Sequence, residues 1–173
     1  MDYEFGDIID CRKTPSIKHF ILIVGLNNKK EVMYYIITSK TYKVFKNVLD
    51  FFNDCIEKKN PRFYHFFSKE EKDKRIYPTG NLCDAFFLDQ HTNYQLCFEK
   101  DSMILINSEP DLADKAVVDE WITDHKAEYK SRLCRNDSEK LVHAIQLSDN
   151  VSPRNKSEVG RNFNIWKRKL KPR

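Results

Sequence analysis

Two apolar segments separated by a polar turn constrain the fold of this chain more than any other feature. "HFILIVG" at 19–25 is continuously apolar, and "VMYYIIT" at 32–38 is rich in β-branched and aromatic residues. Both compositions are typical of strands, and an apolar run without alternation indicates burial on both faces. Segment 25–30 supplies turn residues, among which Asn27 and Asn28 tolerate positive φ. The two segments are therefore predicted to pair as an antiparallel hairpin.

Further strands and one helix are predicted around this hairpin. Apolar or alternating segments at 7–11, 84–89, 95–98 and 102–107 predict additional strands. Segment 45–59 has apolar residues at three- and four-residue spacing, which predicts a helix that ends at Asn60-Pro61. We therefore expect 5–40 and 84–107 to form one curved antiparallel sheet, with the helix at 45–58 packed at its edge.

After residue 107 the spacing predicts helices up to the end of the chain. The first is expected at about 112–131, and its apolar face is Val117, Val118, Trp121, Ile122, His125 and Tyr129. A second helix is expected at 138–147. Ser152 before Pro153 predicts an N-cap and the start of a short third helix, which Gly160 ends. On the apolar face of the first helix, His125 is interpreted as a hydrogen-bonded interface residue rather than a catalyst.

The net charge of +4 is concentrated at the C-terminus. Segment 161–173 holds six basic residues and no acidic residue, so the remainder of the chain has a net charge of −2. This distribution excludes a broadly basic nucleic-acid-binding domain. The basic tail is predicted to bind a polyanion such as RNA by neutralising phosphates, and solvated disorder is the alternative.

The cysteines and the hydropathy give no indication of a metal site or a membrane segment. The five cysteines are an odd number without a CxxC pair, which is typical of buried free thiols in a reducing compartment. Cys83, His91 and Cys97 have a spacing that matches no zinc pattern. The longest apolar stretch is far shorter than the ~20 residues of a membrane span, and the acidic N-terminus differs from a signal peptide. We expect a cytoplasmic protein without metal or cofactor.

Four segments resemble the MazF/PemK family of toxin ribonucleases. These are "FGDII" at 5–9, "KHFILIVG" at 18–25, "YYIITSK" at 34–40 and "FEKDSMILIN" at 98–107. Their order and spacing are similar to those of the family across 5–112, with an insertion at about 41–92.

The resemblance implies an α+β fold built on a small SH3-like antiparallel β-barrel. The barrel would occupy 1–110 with the inserted helix, followed by a helical extension at 111–160 and the basic tail at 161–173. It also implies a homodimer that binds single-stranded RNA, needs no metal and is neutralised by an antitoxin protein.

The resemblance also implies where the site lies. The family has a basic residue, usually arginine, at the start of strand two and a threonine at the end of strand three. These positions fall on His19 and Thr38, which become the predicted catalytic residues. A histidine ordinarily changes charge near neutral pH and suits acid–base work on a 2′-hydroxyl. The predicted substrate-binding residues are Arg12, Lys13, Lys18 and Ser39, and the basic side chains among them would offset phosphate charge.

The function implied is a toxin-like endoribonuclease in a toxin–antitoxin or phage-defence setting. The alternative is a non-catalytic toxin or interaction module on the same barrel, which binds a protein or nucleic-acid partner. The replacement of the usual arginine by His19 favours this alternative, whereas the retained Thr38 and Ser39 favour the ribonuclease. A purely structural interpretation also stays open, in which Lys18 and His19 are the solvated end of a strand and Thr38-Ser39 caps the following helix.

Overall fold

The computed structural model describes residues 2–38, 57, 81–82, 85–88, 102–106 and 108–170. These residues have an α+β fold of strands and helices. The strands are β1 (Asp7–Asp10), β2 (Phe20–Leu26), β3 (Val32–Thr38), β4 (Asn81–Leu82), β5 (Ala85–Leu88), β6 (Ser102–Leu105), β7 (Asp111–Ala113) and β8 (Glu128–Arg132). The helices are α1 (Lys115–Thr123), α2 (Arg135–Leu147) and α3 (Pro153–Lys169).

The described strands belong to one antiparallel sheet. Its order is β4-β5-β6-β3-β2-β1-β8, and β7 also pairs with β3. The predicted hairpin is confirmed, because β2 and β3 are antiparallel from Phe20↔Ile37 to Leu26↔Val32. The predicted placement of 5–40 and 84–107 in one antiparallel sheet is confirmed for the strands described there.

The turn between β2 and β3 is held by Asn27. Its Oδ1 accepts hydrogen bonds from the backbone N–H groups of Lys29 at 2.9 Å and Glu31 at 3.0 Å. The left-handed residue of the turn is Lys30, with φ 63°, rather than Asn27 or Asn28. The asparagine side chain thus closes the turn by accepting hydrogen bonds from the backbone.

The central strand β2 is buried on both faces. Ile21, Leu22, Ile23 and Val24 are each 0% exposed, and successive side chains of a strand point to opposite faces. Ile21 and Ile23 belong to one hydrophobic cluster with Val118 of α1. Leu22 and Val24 belong to the other cluster, which includes residues of α2 and α3: Leu141, Ile145, Val159, Phe163 and Trp166. The sheet is therefore the middle layer between these helices, which explains the continuous apolar sequence.

The helix predicted at about 112–131 is wrong at both ends. Residues 111–113 form β7 against β3, and residues 128–132 form β8 against β1. The helix begins after Asp114, whose Oδ1 accepts a hydrogen bond from Ala116 N at 2.9 Å. It ends because Lys126 N donates to Trp121 O at 2.8 Å across a left-handed residue.

That left-handed residue is His125, with φ 56°. Its side chain is exposed, so the interpretation of His125 as an interface residue on the apolar face is wrong. Tyr129 lies in β8 and is also exposed, so it does not belong to a helical face.

Helices α2 and α3 follow the predicted order with different bounds. Helix α2 begins at Arg135, three residues before the predicted start. The predicted N-cap of α3 is confirmed, because Ser152 Oγ accepts a hydrogen bond from Asn155 N at 3.3 Å and Pro153 follows it. The predicted end at Gly160 is wrong, since α3 continues to Lys169.

The residues after Gly160 pack on the core and on neighbouring elements. Phe163 and Trp166 are buried, with ring centroids 5.4 Å and 6.2 Å from that of Phe5. Lys167 Nζ lies 2.8 Å from Glu139 Oε1 of α2. The alternative of a solvated, disordered tail is therefore wrong for 161–169.

Strand β3 changes its pairing partner along its length, and the segment between the two partners contacts the end of α2. Strand β6 pairs with Ile37 and Thr38, whereas β7 pairs with 32–34 of the same strand. At the intervening segment, Ile106 O accepts a hydrogen bond from Ser148 Oγ at 3.0 Å. This hydrogen bond attaches the start of the connection between α2 and α3 to the segment that follows β6.

Several predictions fall outside the described residues. These are the strand at 95–98, Ser39, the three residues Cys83, His91 and Cys97, and the helix at 45–58 except for Glu57, which is helical. The insertion at about 41–92 is described only at Glu57, β4 and β5. Among the helices described, none combines the length and the apolar character that crossing a membrane requires.

Candidate functional site

The outer ends of β2 and β3 bring the two predicted catalytic residues to adjoining positions. The last pair of this register is Phe20↔Ile37, so the next residues outward are His19 and Thr38. Both side chains are half-buried. The backbone of His19 is held by the residue that follows β1, because the His19 carbonyl accepts a hydrogen bond from Cys11 N at 3.0 Å. Thr38 is also paired with Met103 of β6.

The loop between β1 and β2 is built around a buried threonine. Thr14 Oγ1 donates to Cys11 O at 2.8 Å, and Ile17 N donates to Thr14 Oγ1 at 3.3 Å. The loop ends at Lys18, whose φ of 55° is unusual for a residue other than glycine. Lys13 and Lys18 are exposed. The loop therefore carries two exposed lysines on a hydrogen-bonded backbone, and Lys18 directly precedes His19.

Arg12 is held by its neighbours. Its Nε and Nη2 donate to Asp10 Oδ1 and Oδ2 at 3.0 Å and 2.8 Å, and its guanidinium lies 4.6 Å from the Phe20 ring centroid. Burial opposes the ionisation of Asp10, but the hydrogen bonds and charge of Arg12 outweigh it and lower the pKa of Asp10. These contacts fix the orientation of the Arg12 side chain, and the carboxylate of Asp10 offsets part of its charge.

Cys11 lies at the start of the same loop without being available as a nucleophile. The side chain is buried, and this burial raises the pKa of the Cys11 thiol to about 12. A thiol reacts as its thiolate, so Cys11 stays unreactive near neutral pH. The prediction of a buried free thiol is confirmed for Cys11, whereas Cys134 is half-buried.

The Gly-Asp pair of the first motif has a structural role in this chain. Gly6 has φ +88°, and a Cβ at this position would lie 3.2 Å from the Leu133 side chain. Its N–H donates to Ile23 O at 2.8 Å and its carbonyl accepts from Leu133 N at 2.9 Å. Gly6 therefore fixes the entry of β1 between β2 and the segment after β8.

Asp7 is the most buried acidic group near these strands. It is 0% exposed, and its carboxylate accepts hydrogen bonds from Arg132 Nε at 2.6 Å and Glu4 N at 2.8 Å. Burial raises the pKa of Asp7 in spite of these partners. No local pattern links Arg132 to Asp7, because 125 residues separate the two in the sequence.

In the part of the chain that the structure describes, no group of three or more His, Cys, Asp or Glu residues is placed to hold a metal ion. Comparison with known proteins finds no matching family model, no matching curated protein and no matching solved structure.

Proposed function

We propose that the chain is a toxin-like endoribonuclease that cleaves single-stranded RNA, with His19 and Thr38 as its catalytic residues. The observation that carries the proposal is the register of β2 and β3. It brings an imidazole and a hydroxyl to adjoining positions, next to a loop with two exposed lysines. Acid–base cleavage of RNA requires groups of this kind around one phosphate.

The proposed reaction is attack of a ribose 2′-oxygen on the adjacent phosphorus. His19 takes the 2′-hydroxyl proton, a bond forms between the 2′-oxygen and phosphorus, and the bond from phosphorus to the 5′-oxygen breaks. The leaving 5′-oxygen takes a proton from solvent, so the products are a cyclic phosphate and a 5′-hydroxyl. Thr38 donates a hydrogen bond to a non-bridging phosphate oxygen. Lys18, with Lys13, Arg12 and Ser39, binds the neighbouring phosphates.

The proposal is tested with single substitutions at the two strand ends. His19→Ala and Thr38→Ala should each reduce cleavage of a single-stranded RNA by about a hundredfold or more, as expected for loss of an acid–base group or a phosphate contact. The matched control is His125→Asn, which removes an exposed histidine elsewhere and suits its left-handed backbone.

Thermal unfolding separates a catalytic role from a structural one. The two site variants should keep the melting temperature of the unmodified chain. If both variants cleave RNA at the unmodified rate, or lose activity only because they unfold, His19 and Thr38 are structural residues at the strand ends.

A non-catalytic interaction module is the second candidate function, and the geometry of Arg12 favours it. A guanidinium held bidentately by Asp10 is less available to a phosphate that changes charge during a reaction. In that case the chain would bind its protein or nucleic-acid partner with no cleavage. Intact RNA after prolonged incubation, together with measurable binding, would support this candidate over the ribonuclease.

The finer structural expectations belong to the same proposal. We propose that the sheet is an SH3-like barrel in a homodimer, with an antitoxin partner and a cytoplasmic setting. The consecutive pairing of β1, β2 and β3 supports the barrel. Light scattering should give twice the mass of one chain at micromolar concentration, and a single-chain mass would contradict the dimer.

A further inference from the structure

A cavity lies at the other end of the β2–β3 hairpin. Its volume is about 320 Å³, and it is formed by the hairpin turn, β7 and the first turns of α3. The lining includes Asn27, Lys29, Leu112, Arg154 and Glu158. The length of the hairpin separates the cavity from His19 and Thr38 by roughly 20 Å, so it is distinct from the proposed ribonuclease site.

Glu158 is an unusual component of this lining. The residue is 5% exposed, and neither oxygen of its carboxylate receives a hydrogen bond in the described part of the chain. The nearest cation is Arg154 Nε at 3.6 Å, on a side chain that is 70% exposed. A buried carboxylate without hydrogen bonds costs stability, so the position favours a donor that the chain itself does not supply.

Two other polar side chains of the lining are already engaged in hydrogen bonds. Asn27 Nδ2 donates to Glu31 Oε2 at 2.7 Å, and Asn155 Nδ2 donates to Glu109 Oε2 at 2.8 Å. Glu158 therefore differs from these two asparagines in having acceptor atoms that are buried and without a hydrogen bond, on a residue that lines the cavity.

We infer that this cavity binds an amino acid or a similar small zwitterion. The ligand's ammonium group would donate to the Glu158 carboxylate, in charge-assisted hydrogen bonds. This would displace Arg154, which then pairs with the ligand's carboxylate together with Lys29. A simple amine would leave Arg154 without its partner, which is why the lining favours a zwitterion. Leu112 contributes an exposed apolar surface for the ligand's aliphatic part.

Binding is tested on the full chain with the twenty standard amino acids and 4-aminobutanoate at millimolar concentration. At least one should shift the backbone amide NMR signals of Lys29 and Asn155. The N-acetylated form of that compound lacks the ammonium group and its decarboxylated form lacks the carboxylate. Each should bind about tenfold more weakly or worse.

Glu158→Gln keeps the shape of the side chain and removes its charge. We expect affinity to fall about tenfold or more and the melting temperature without ligand to rise by about 2–4 °C, because an unbonded buried charge is removed. The matched control is Glu120→Gln, at an exposed position of α1, and should change neither quantity.

The inference is overturned if none of the compounds shifts these signals or if Glu158→Gln binds as tightly as the unmodified chain. A lower melting temperature of Glu158→Gln would also overturn it, because the ion pair with Arg154 would then be enough to stabilise the buried carboxylate without a ligand.

Discussion

Asp7 and Arg132 form an ion pair whose two members differ in their access to solvent. Asp7 is fully buried, whereas the Arg132 side chain is 32% exposed and also contacts Glu4 at 2.6 Å. Burial raises the pKa of Asp7. A carboxyl whose pKa is higher in the folded chain than in the unfolded chain binds its proton more tightly when the chain is folded. Its contribution to the free energy of unfolding is therefore complete at low pH and decreases as pH rises above its ordinary pKa.

Removal of Arg132 should therefore destabilise the fold in a pH-dependent manner. Arg132→Met leaves Asp7 buried without its cation, so we expect a loss of about 3 kcal/mol near neutral pH. The loss should be smaller near pH 4, where about half of the Asp7 carboxyls are already protonated in the unfolded chain, so that less charge is left without its cation in the folded one. Urea unfolding at the two pH values measures this difference.

Lys130→Met is the matched control for Arg132→Met. Lys130 lies in the same strand and pairs with an exposed glutamate, Glu128, at 2.6 Å. Its replacement should cost less than about 1 kcal/mol at either pH. Equal losses for the two variants, or a larger loss for Arg132→Met near pH 4, would contradict the assigned role of Asp7.

The backbone of Lys18 gives a second prediction at the residue scale. A left-handed lysine is strained, whereas glycine adopts the same φ freely. Lys18→Gly should therefore stabilise the chain by about 1 kcal/mol while it removes a cation from the proposed site. Thermal unfolding measures the first effect, and a stability loss would contradict the assigned backbone conformation.

Single residues were predictable where their role is local. Ser152 was identified as an N-cap from the proline that follows it, and the cap depends on residues only three positions apart. The roles of Asp7 and Glu158 were not predictable, because the environments of these residues depend on distant segments of the chain. The local signal for Glu158 is its place beside Val159, at the margin of the helical face that holds Val159, Phe163 and Trp166.

At the scale of elements, β8 was missed because its sequence contains little apolar periodicity. "EYKSR" is an edge strand of the described sheet, and only its pairing with β1 defines it. The residues from Val117 to Tyr129 also fit a helical period when they are counted in sequence alone. The left-handed residue that follows α1 is His125 and not a glycine, so the usual sequence signal for a helix end was absent.

Helix α3 continues through Gly160 because the burial of later aromatic residues outweighs the cost of a glycine inside a helix. A glycine inside a helix costs about 1 kcal/mol relative to alanine. Burial of an aromatic side chain contributes about 1.5–3 kcal/mol, and Phe163 and Trp166 both become buried beyond this point. The spacing of Val159, Phe163 and Trp166 already follows the helical period, which is a stronger signal than a single glycine at 160.

Gly160→Ala should consequently stabilise the chain by about 0.5–1 kcal/mol. A Cβ at this position would lie 3.4 Å from Gln146 Nε2, an ordinary contact with the end of a flexible side chain. The matched control is Gly25→Ala, where φ is +134° and a Cβ would lie 2.2 Å from Asn162, so a loss of stability is expected. A decrease for Gly160→Ala would contradict a continuous α3.

For the whole molecule, the packing of α3 changes how its basic residues have to be tested. A deletion of 161–173 would remove Phe163 and Trp166 from the core and would unfold the domain. The prediction that this segment binds a polyanion is therefore better tested with Arg168→Gln, at an exposed position near the end of α3. This variant should weaken RNA binding and reduce its salt dependence while the melting temperature stays the same.

The three-layer arrangement shows what a pattern of apolar residues can predict. The hairpin of β2 and β3 was predictable because its turn is short and its strands are strongly apolar. The helices that cover its two faces come from 115–123 and 135–169, and no local pattern indicates which face each one covers. The adjoining positions of His19 and Thr38 followed from the hairpin alone, whereas the cavity at Glu158 required the complete packing.

The most direct test of the proposed ribonuclease uses the unmodified chain and two oligonucleotides of identical sequence. One is single-stranded RNA, and the other has deoxyribose at every position and therefore lacks the attacking 2′-hydroxyl. Both are incubated with the chain in the presence of EDTA, and the products are analysed by mass spectrometry. We predict cleavage of the RNA to fragments with cyclic phosphate and 5′-hydroxyl ends, and an intact deoxyribose oligonucleotide. Intact RNA, or equal cleavage of both oligonucleotides, would contradict the proposal.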